Sequence, residues 1–274
     1  VKAAGFLKLA AFLGGAVGAG MLVYGTLVES NRLVVERRRL RLSGWPKSLD
    51  GFRIAVLADL HLRDEYSERL GERAIAAAIA EEPNVFAIPG DVIAYWKPGA
   101  LDMARRVLEP LRGRPVVLSF GNHEHECGHV PELIAMAKEL GFTVLLNEAH
   151  FDGQVTWVGV DSAKMEQHEP EAAMARAHTL PAPRVVLWHE PDMVDHLPSG
   201  AALMLSGHSH GGQFRFPGGF TPMYTRLGKR YPGGFYPKAP TPLYVSRGIG
   251  TTGPPSRFNC PPEVSILTLE SADQ

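Results

Sequence analysis

Eight side chains able to bind a metal ion or move a proton stand at the ends of apolar runs. In chain order they are Asp59 and His61 in "DLH", Asp91 in "GD", Asn122 and His123 in "GNHE", His189 in "WHE", and His208 and His210 in "GHSH". The set offers oxygen and imidazole donors and no thiolate. That chemistry suits zinc, manganese or iron in a reactive site better than a sulfur-rich structural zinc clip. Two such ions sharing a carboxylate, about 3.5–4 Å apart, can clamp both the attacking and the leaving oxygen of a phosphoryl transfer. Each short motif alone is weak, since DxH and GD arise by chance; five of them in order are specific.

Positioning these residues requires strands that stop just before them. "RIAVLADLHL", "NVFAIPGD", "PVVLSFGNHE", "RVVLWHEP" and "ALMLSGHSH" each run apolar and then end in a polar cluster. Continuous apolar runs indicate strands covered on both faces. Between them the spacing predicts helices over Ser67 to Glu81, Leu101 to Leu111, Pro131 to Leu140 and Glu171 to His178. "TPLYVSRGIG" and "PEVSILTLE" read as later strands. The alternation implies an α/β fold, and ligands of such sheets bind beyond the carboxyl ends of the strands, where all five clusters fall.

The ordered set DxH, GD, GNH, H and GHxH resembles the calcineurin-like metallophosphoesterase family over about residues 50 to 270. The resemblance implies a four-layer α/β/β/α sandwich. It implies one metal on Asp59, His61 and His210, a second on Asn122, His189 and His208, and Asp91 bridging them. His123 takes the place of a histidine that stabilises or protonates the reacting phosphate without binding metal. A metal-bound water, acidified towards neutrality, would attack phosphorus in line. "SGHSHGGQFRFP", "LYVSRGIG" and "PSRFNCPPE" extend the resemblance to a membrane-anchored branch. That branch holds broad phosphodiesterases and enzymes resembling the UDP-2,3-diacylglucosamine pyrophosphatases of lipid A synthesis. Glu190 in "WHEP" stands where that family frequently has asparagine. The expected function is a hydrolase that uses two divalent ions to cleave a phosphodiester or pyrophosphate bond, in a lipid-linked or a soluble or cell-wall substrate. A metal-holding scaffold without catalysis is the alternative from another class.

The rest of the chain bounds this reading. Its 274 residues carry a net charge of -1, which argues against a nucleic-acid partner held by bulk electrostatics. Two cysteines, Cys127 and Cys260, make no disulfide framework. The twenty uncharged residues from Leu9 to Val28 would rise about 30 Å as a helix, enough for a membrane anchor over 1–30. A cleaved signal peptide and a buried helix compete with that anchor. Arg32, Arg37, Arg38, Arg39 and Arg41 after the segment favour a cytoplasmic domain over 31–274, unless they simply lie on the wet face of a strand. In "GNHEHECGH", His125, Cys127 and His129 read as a loop before the next helix rather than as a zinc clip, and Glu124 as a residue that orients a metal ligand. Residues 214–236, rich in aromatics, glycine and proline, form a cap or an irregular surface loop, with Arg226, Lys229 and Arg230 near phosphate in the former case. Arg63, Arg247 and Arg257 are weaker phosphate-clamp candidates.

Overall fold

The computed structural model describes residues 2–272, with side chains described at 12, 14–16 and from 18 onward. Two six-stranded sheets face each other. The first contains β1 (Val34–Leu42), β2 (Phe52–Val56), β3 (Val85–Pro89), β4 (Val116–Ser119), β5 (Thr143–Val144) and β12 (Glu263–Ser271), in the order β1-β12-β2-β3-β4-β5. The second contains β6 (Glu148–Phe151), β7 (Thr156–Val160), β8 (Arg184–Trp188), β9 (Leu203–Ser206), β10 (Gly234–Tyr236) and β11 (Leu243–Val245), in the order β10-β11-β9-β8-β7-β6. The strands that end at the metal-ligand motifs pair in parallel: β2 with β3 and β3 with β4 in one sheet, β8 with β9 in the other.

Alternation along the strands assigns each side chain to one of three cores. Between the sheets Ile54, Val56, Val85 and Val117 meet Trp157, Val185, Leu187 and Leu205. On the outer face of the first sheet Phe86, Ile88 and Leu118 pack against α2 (Glu65–Ala80), α3 (Ala100–Leu108) and α5 (Val130–Glu139) through Leu70, Val107 and Met136. Outside the second sheet Val158, Val186 and Met204 cover α6 (Pro170–His178) through Ala173 and Met174. The protein is thus a mixed α/β fold in four layers, as the family resemblance implies.

Local chemistry moves the helix ends slightly from their expected places. Asp64 caps α2 by accepting from the Ser67 amide at 2.8 Å, so the helix begins before Ser67. Pro110 lacks an amide hydrogen, and α3 tightens after Leu108 into a 3-10 turn over Glu109–Leu111. Strands β5 to β7 carry no counterpart in the sequence reading. They are short, and "VTWVGV" is bracketed by glycines and acids that read as loop.

The expected anchor over 1–30 coincides with α1 (Lys2–Leu27), many of whose side chains lie outside the described residues. Among the described residues no helix is long and apolar enough to cross a membrane. Phe12, Leu22, Val23 and Leu27 nevertheless face outward, at 72%, 52%, 58% and 68% exposure. The arginines of β1 mostly face water: Arg37, Arg39 and Arg41 are exposed and paired with Glu81 and Glu270. A charged strand face accounts for them without a membrane.

Candidate metal centre

All eight expected residues converge beyond the carboxyl ends of β2, β3, β4, β8 and β9. Seven are almost fully buried, and His123 is the partly open member. Three groups of ligand atoms form, each within 4.8 Å: Asp59 with His61 and His210, Asp91 with His189 and His208, and His61 with Asp91 and His123. The second oxygen of Asp91 lies 3.0 Å from His189 Nε2 and 3.5 Å from His61 Nε2, so one carboxylate touches both halves.

Backbone geometry shows that the strands deliver these residues under strain. Asp59, His61, Asp91, His208 and His210 all have positive φ, between 47° and 68°. For side-chain-bearing residues this region costs on the order of 1 kcal/mol or more and persists only where surroundings enforce it. The enforcement is visible: the Asp59 amide donates to the Gly90 carbonyl at 3.1 Å and the His61 amide to the Asp91 carbonyl at 3.0 Å. Gly121 leaves the space next to Asp91 open; a Cβ there would sit 2.3 Å from Asp91 Oδ1.

Hydrogen bonds outside the centre fix which ring nitrogen faces inward. His189 Nδ1 donates to the Pro89 carbonyl at 2.7 Å, leaving Nε2 free; His208 Nε2 donates to the Arg226 carbonyl at 2.6 Å, leaving Nδ1. His123 Nδ1 donates to the Ala94 carbonyl at 2.6 Å and presents Nε2. Glu124 binds no ligand position. Its carboxylate accepts from the amides of Gly121, Asp91 and Val92 at 2.9, 3.0 and 2.6 Å, tying two ligand-bearing turns together, which is the orienting role expected of it.

The atoms left over fit cations. Asn122 Oδ1 is buried with no hydrogen-bond partner, a condition that costs about 1–3 kcal/mol unless something electrophilic sits there. His61 Nε2 and His210 Nε2 lie 2.9 Å apart, two donors aimed at one place. Burial by itself pushes the Asp91 carboxyl up, but the His189, His61 and His123 imidazoles outweigh it and hold the group well below the usual carboxylate range. Burial likewise lowers His189, yet Asp91 and Asp59 raise it well above an ordinary histidine. Burial instead lowers His208 and holds His210 well below an ordinary histidine, so these two imidazoles keep unprotonated nitrogens, the form that binds a divalent ion.

Several other readings change on the structure. Arg257 is no phosphate clamp: it is fully buried and donates to the carbonyls of Arg247, Gly248 and Cys260 at 2.9, 3.1 and 3.1 Å, behind His210. Arg63 spends its guanidinium on Thr251, and Arg247 on Glu263. These side chains staple the last loop to the centre. Arg257→Met, which takes the buried guanidinium away from the carbonyls of Arg247, Gly248, Gly250 and Cys260, should destabilise the fold by about 3–5 kcal/mol in urea unfolding.

The neighbouring "HECGH" residues do not gather on a metal. His125 pairs with Asp161 at 2.6 Å, burial pushes the Cys127 thiol up to about 12, and His129 stacks on Trp96 with centroids 3.7 Å apart.

A cavity of about 110 Å³ opens over the centre, lined by Asp91, Asn122, His123, His208 and His210 and by Lys164, Thr225, Arg226 and Thr252. Of the three cations expected near phosphate, Arg226 lines it. Arg230 pairs with Asp195, and Lys229 lies over the Tyr224 ring at 5.7 Å. Lys164 and Thr252 were not singled out by sequence. Lys164 follows β7, an apolar run ending in "DSAK" that obeys the same rule as the other five.

The calcineurin-like phosphoesterase family model matches residues 52–212. Phosphodiesterase YaeI of Escherichia coli is 33% identical over 239 residues, covering 84% of this chain and 87% of its own. The metallophosphoesterase YkuE of Bacillus subtilis is 28% identical over 276 residues, covering 94% and 95%. Among solved structures, a dimetal phosphatase from Danio rerio aligns with 75% of this chain and 90% of its own at a TM-score of 0.46 and 13% identity.

Proposed function

The chain belongs to the calcineurin-like phosphoesterase family, and on that premise we propose that it holds two divalent metal ions and cleaves a phosphodiester or pyrophosphate bond. Metal-dependent phosphoester hydrolysis is the family's chemistry. The observation that carries the finer reading is the shared Asp91 carboxylate, which stands between two separate groups of imidazole donors. One ion would rest on Asp59, His61, His210 and Asp91, the other on Asp91, Asn122, His189 and His208. When bound, such ions acidify water and neutralise phosphate charge. His123 presents Nε2 to the cavity, with Nδ1 anchored on Ala94, and it supplies a proton or hydrogen bond to an oxygen gaining charge. Arg226 offers a guanidinium to the same anion. The test is hydrolysis of bis(p-nitrophenyl) phosphate with added manganese. Turnover that disappears on chelation and returns with metal is expected; no turnover with any divalent metal would favour a non-catalytic scaffold.

A lipid-linked substrate, met at a cell membrane, is the second part of the proposal. Its support is a run of outward apolar groups. Phe220, Met223 and Tyr224 are exposed on the segment that also carries the cavity-lining Arg226. Rings connect that segment to α1, from Phe220 to Phe216, Phe258 and Tyr24 at centroid distances of 6.1, 5.8 and 6.3 Å. Because the Arg226 carbonyl holds His208, deleting the whole segment would disturb a ligand. Phe220→Ser with Met223→Ser isolates the apolar role. The pair should reduce turnover of a diester in anionic vesicles by about tenfold and leave the soluble chromogenic diester within about twofold, since two exposed apolar side chains are worth on the order of 1.5 kcal/mol on insertion. Equal loss on both substrates would remove the lipid reading.

A further inference from the structure

The buried acid beside a metal ligand has no task in the centre just described. Glu190 follows His189 directly and is fully buried, yet neither of its oxygens faces the metal cavity. Oε1 accepts from Ser162 Oγ at 2.6 Å and from the Lys164 amide at 3.1 Å, and Oε2 accepts from the Ala163 amide at 3.1 Å. Burying a carboxylate is expensive unless several donors meet it, and here one turn supplies all three. An asparagine side chain at this position has one acceptor oxygen and a nitrogen that only donates, so it cannot satisfy three donors. The acid therefore matches this turn specifically.

The turn is also fixed from its other side. Asp161 Oδ1 accepts from the Ser162 amide at 2.8 Å and pairs with His125 Nε2 at 2.6 Å. Two short segments, one after β8 and one in α4 (Asn122–Glu126), thus grip the four residues that follow β7. What they hold in place is Lys164. Its side chain lines the cavity with Asn122, His123 and His208, and its Nζ donates to Glu126 Oε1 at 3.0 Å. Glu126 in turn accepts from Asn122 Nδ2 at 3.1 Å, which turns the Asn122 oxygen inward. An ammonium has three donors and Glu126 takes one. Apart from the metal ligands, the cavity lining is Lys164, Arg226, Thr225, Thr252 and His123, a set of cations and donors. A plain surface ion pair would not require a buried carboxylate beneath its backbone.

We propose that Lys164 binds a phosphate oxygen of the substrate at the rim of the metal cavity, and that the buried Glu190 is the positioning residue that aims it. The inference rests on the metallophosphoesterase reading for its ligand, an anionic phosphoryl group, but its test does not depend on turnover. Inorganic phosphate is titrated calorimetrically into the metal-loaded full chain, alongside KM and kcat for bis(p-nitrophenyl) phosphate. Lys164→Met should weaken phosphate binding and raise KM by about tenfold, as expected for one charge-assisted hydrogen bond, with kcat within about threefold and metal content unchanged. Lys164→Arg should recover most of the loss. Glu190→Gln should weaken phosphate severalfold in the wild-type background and add nothing in the Lys164→Met background, because the two act through one contact. Ser162→Ala, a milder disturbance of the same turn, gives the same non-additivity if Glu190→Gln fails to fold.

Phosphate affinity unchanged in Lys164→Met, with metals retained, overturns the role of Lys164. Full additivity of Glu190→Gln or Ser162→Ala with Lys164→Met overturns the positioning link. A wild-type protein that binds phosphate through Lys164 but hydrolyses no phosphoester would sink the proposed function and leave this inference standing.

Discussion

Asp91→Ala is expected to abolish turnover, by on the order of a thousandfold or more, and to lower bound metal at the same time. The reason is geometric. One carboxylate oxygen reaches His189 Nε2 at 3.0 Å and His61 Nε2 at 3.5 Å, so both groups of donors lose the same partner. The other oxygen accepts from the His123 amide at 3.0 Å and so sets the turn that carries Asn122 and His123. Removing it would withdraw a negative charge from between the two groups of imidazole donors and loosen the turn that carries Asn122, and a thousandfold corresponds to only about 4 kcal/mol of lost stabilisation. Elemental analysis of purified protein and the manganese-dependent diester assay read the two effects separately. Asp91→Asn is the useful companion, because it preserves shape while removing charge, and it should retain more metal than Asp91→Ala. Two full equivalents of metal in Asp91→Ala would contradict the bridging assignment even if activity were lost.

How much of this centre could be read from sequence depends on how each residue is delivered. The convergence of these residues was legible because a parallel strand ends once, in one direction, and whatever follows it lands on the same rim; Asp59, Asp91, Asn122, His189 and His208 all follow apolar runs. The strained backbone was not legible, because the positive φ of Asp59, His61, Asp91, His208 and His210 has no compositional signature. Arginine roles were misread for a general reason. A guanidinium satisfies carbonyls as well as it grips phosphate, and only the fold shows that Arg257 faces Arg247, Gly248 and Cys260 rather than the cavity. Lys164 was missed because β7 was missed. Gly159 interrupts its apolar run, and a Cβ there would press within 2.1 Å of the Leu145 carbonyl, so the residue that weakens the strand signal is the one packing demands. Glu190 was visible as a departure from the family pattern, but its partners lie 26 to 28 residues away and appear only after folding.

His123→Ala separates chemistry from metal binding more cleanly than any ligand variant. The residue is the partly open member of the centre, and its ring is held from behind by the Ala94 carbonyl. Its side chain stacks edge-on to His61 with centroids 4.6 Å apart; it groups with His61 and Asp91, but the sets Asp59–His61–His210 and Asp91–His189–His208 are each complete without it. Loss of a positioned proton donor typically costs 10²–10⁴ in rate, so kcat should fall by roughly that factor while metal content and phosphate affinity change little. The leaving group then decides which role the imidazole has. A nitrophenolate departs without a proton, whereas an alkoxide does not. If His123 protonates the leaving oxygen, the variant should be far more impaired on an alkyl diester than on the nitrophenyl one. If it only stabilises charge on a non-bridging oxygen, both substrates should slow equally, because that charge develops whichever group leaves. Loss of both metals in His123→Ala would show instead that the imidazole belongs to the ligand set and would return the proton to another residue of the cavity.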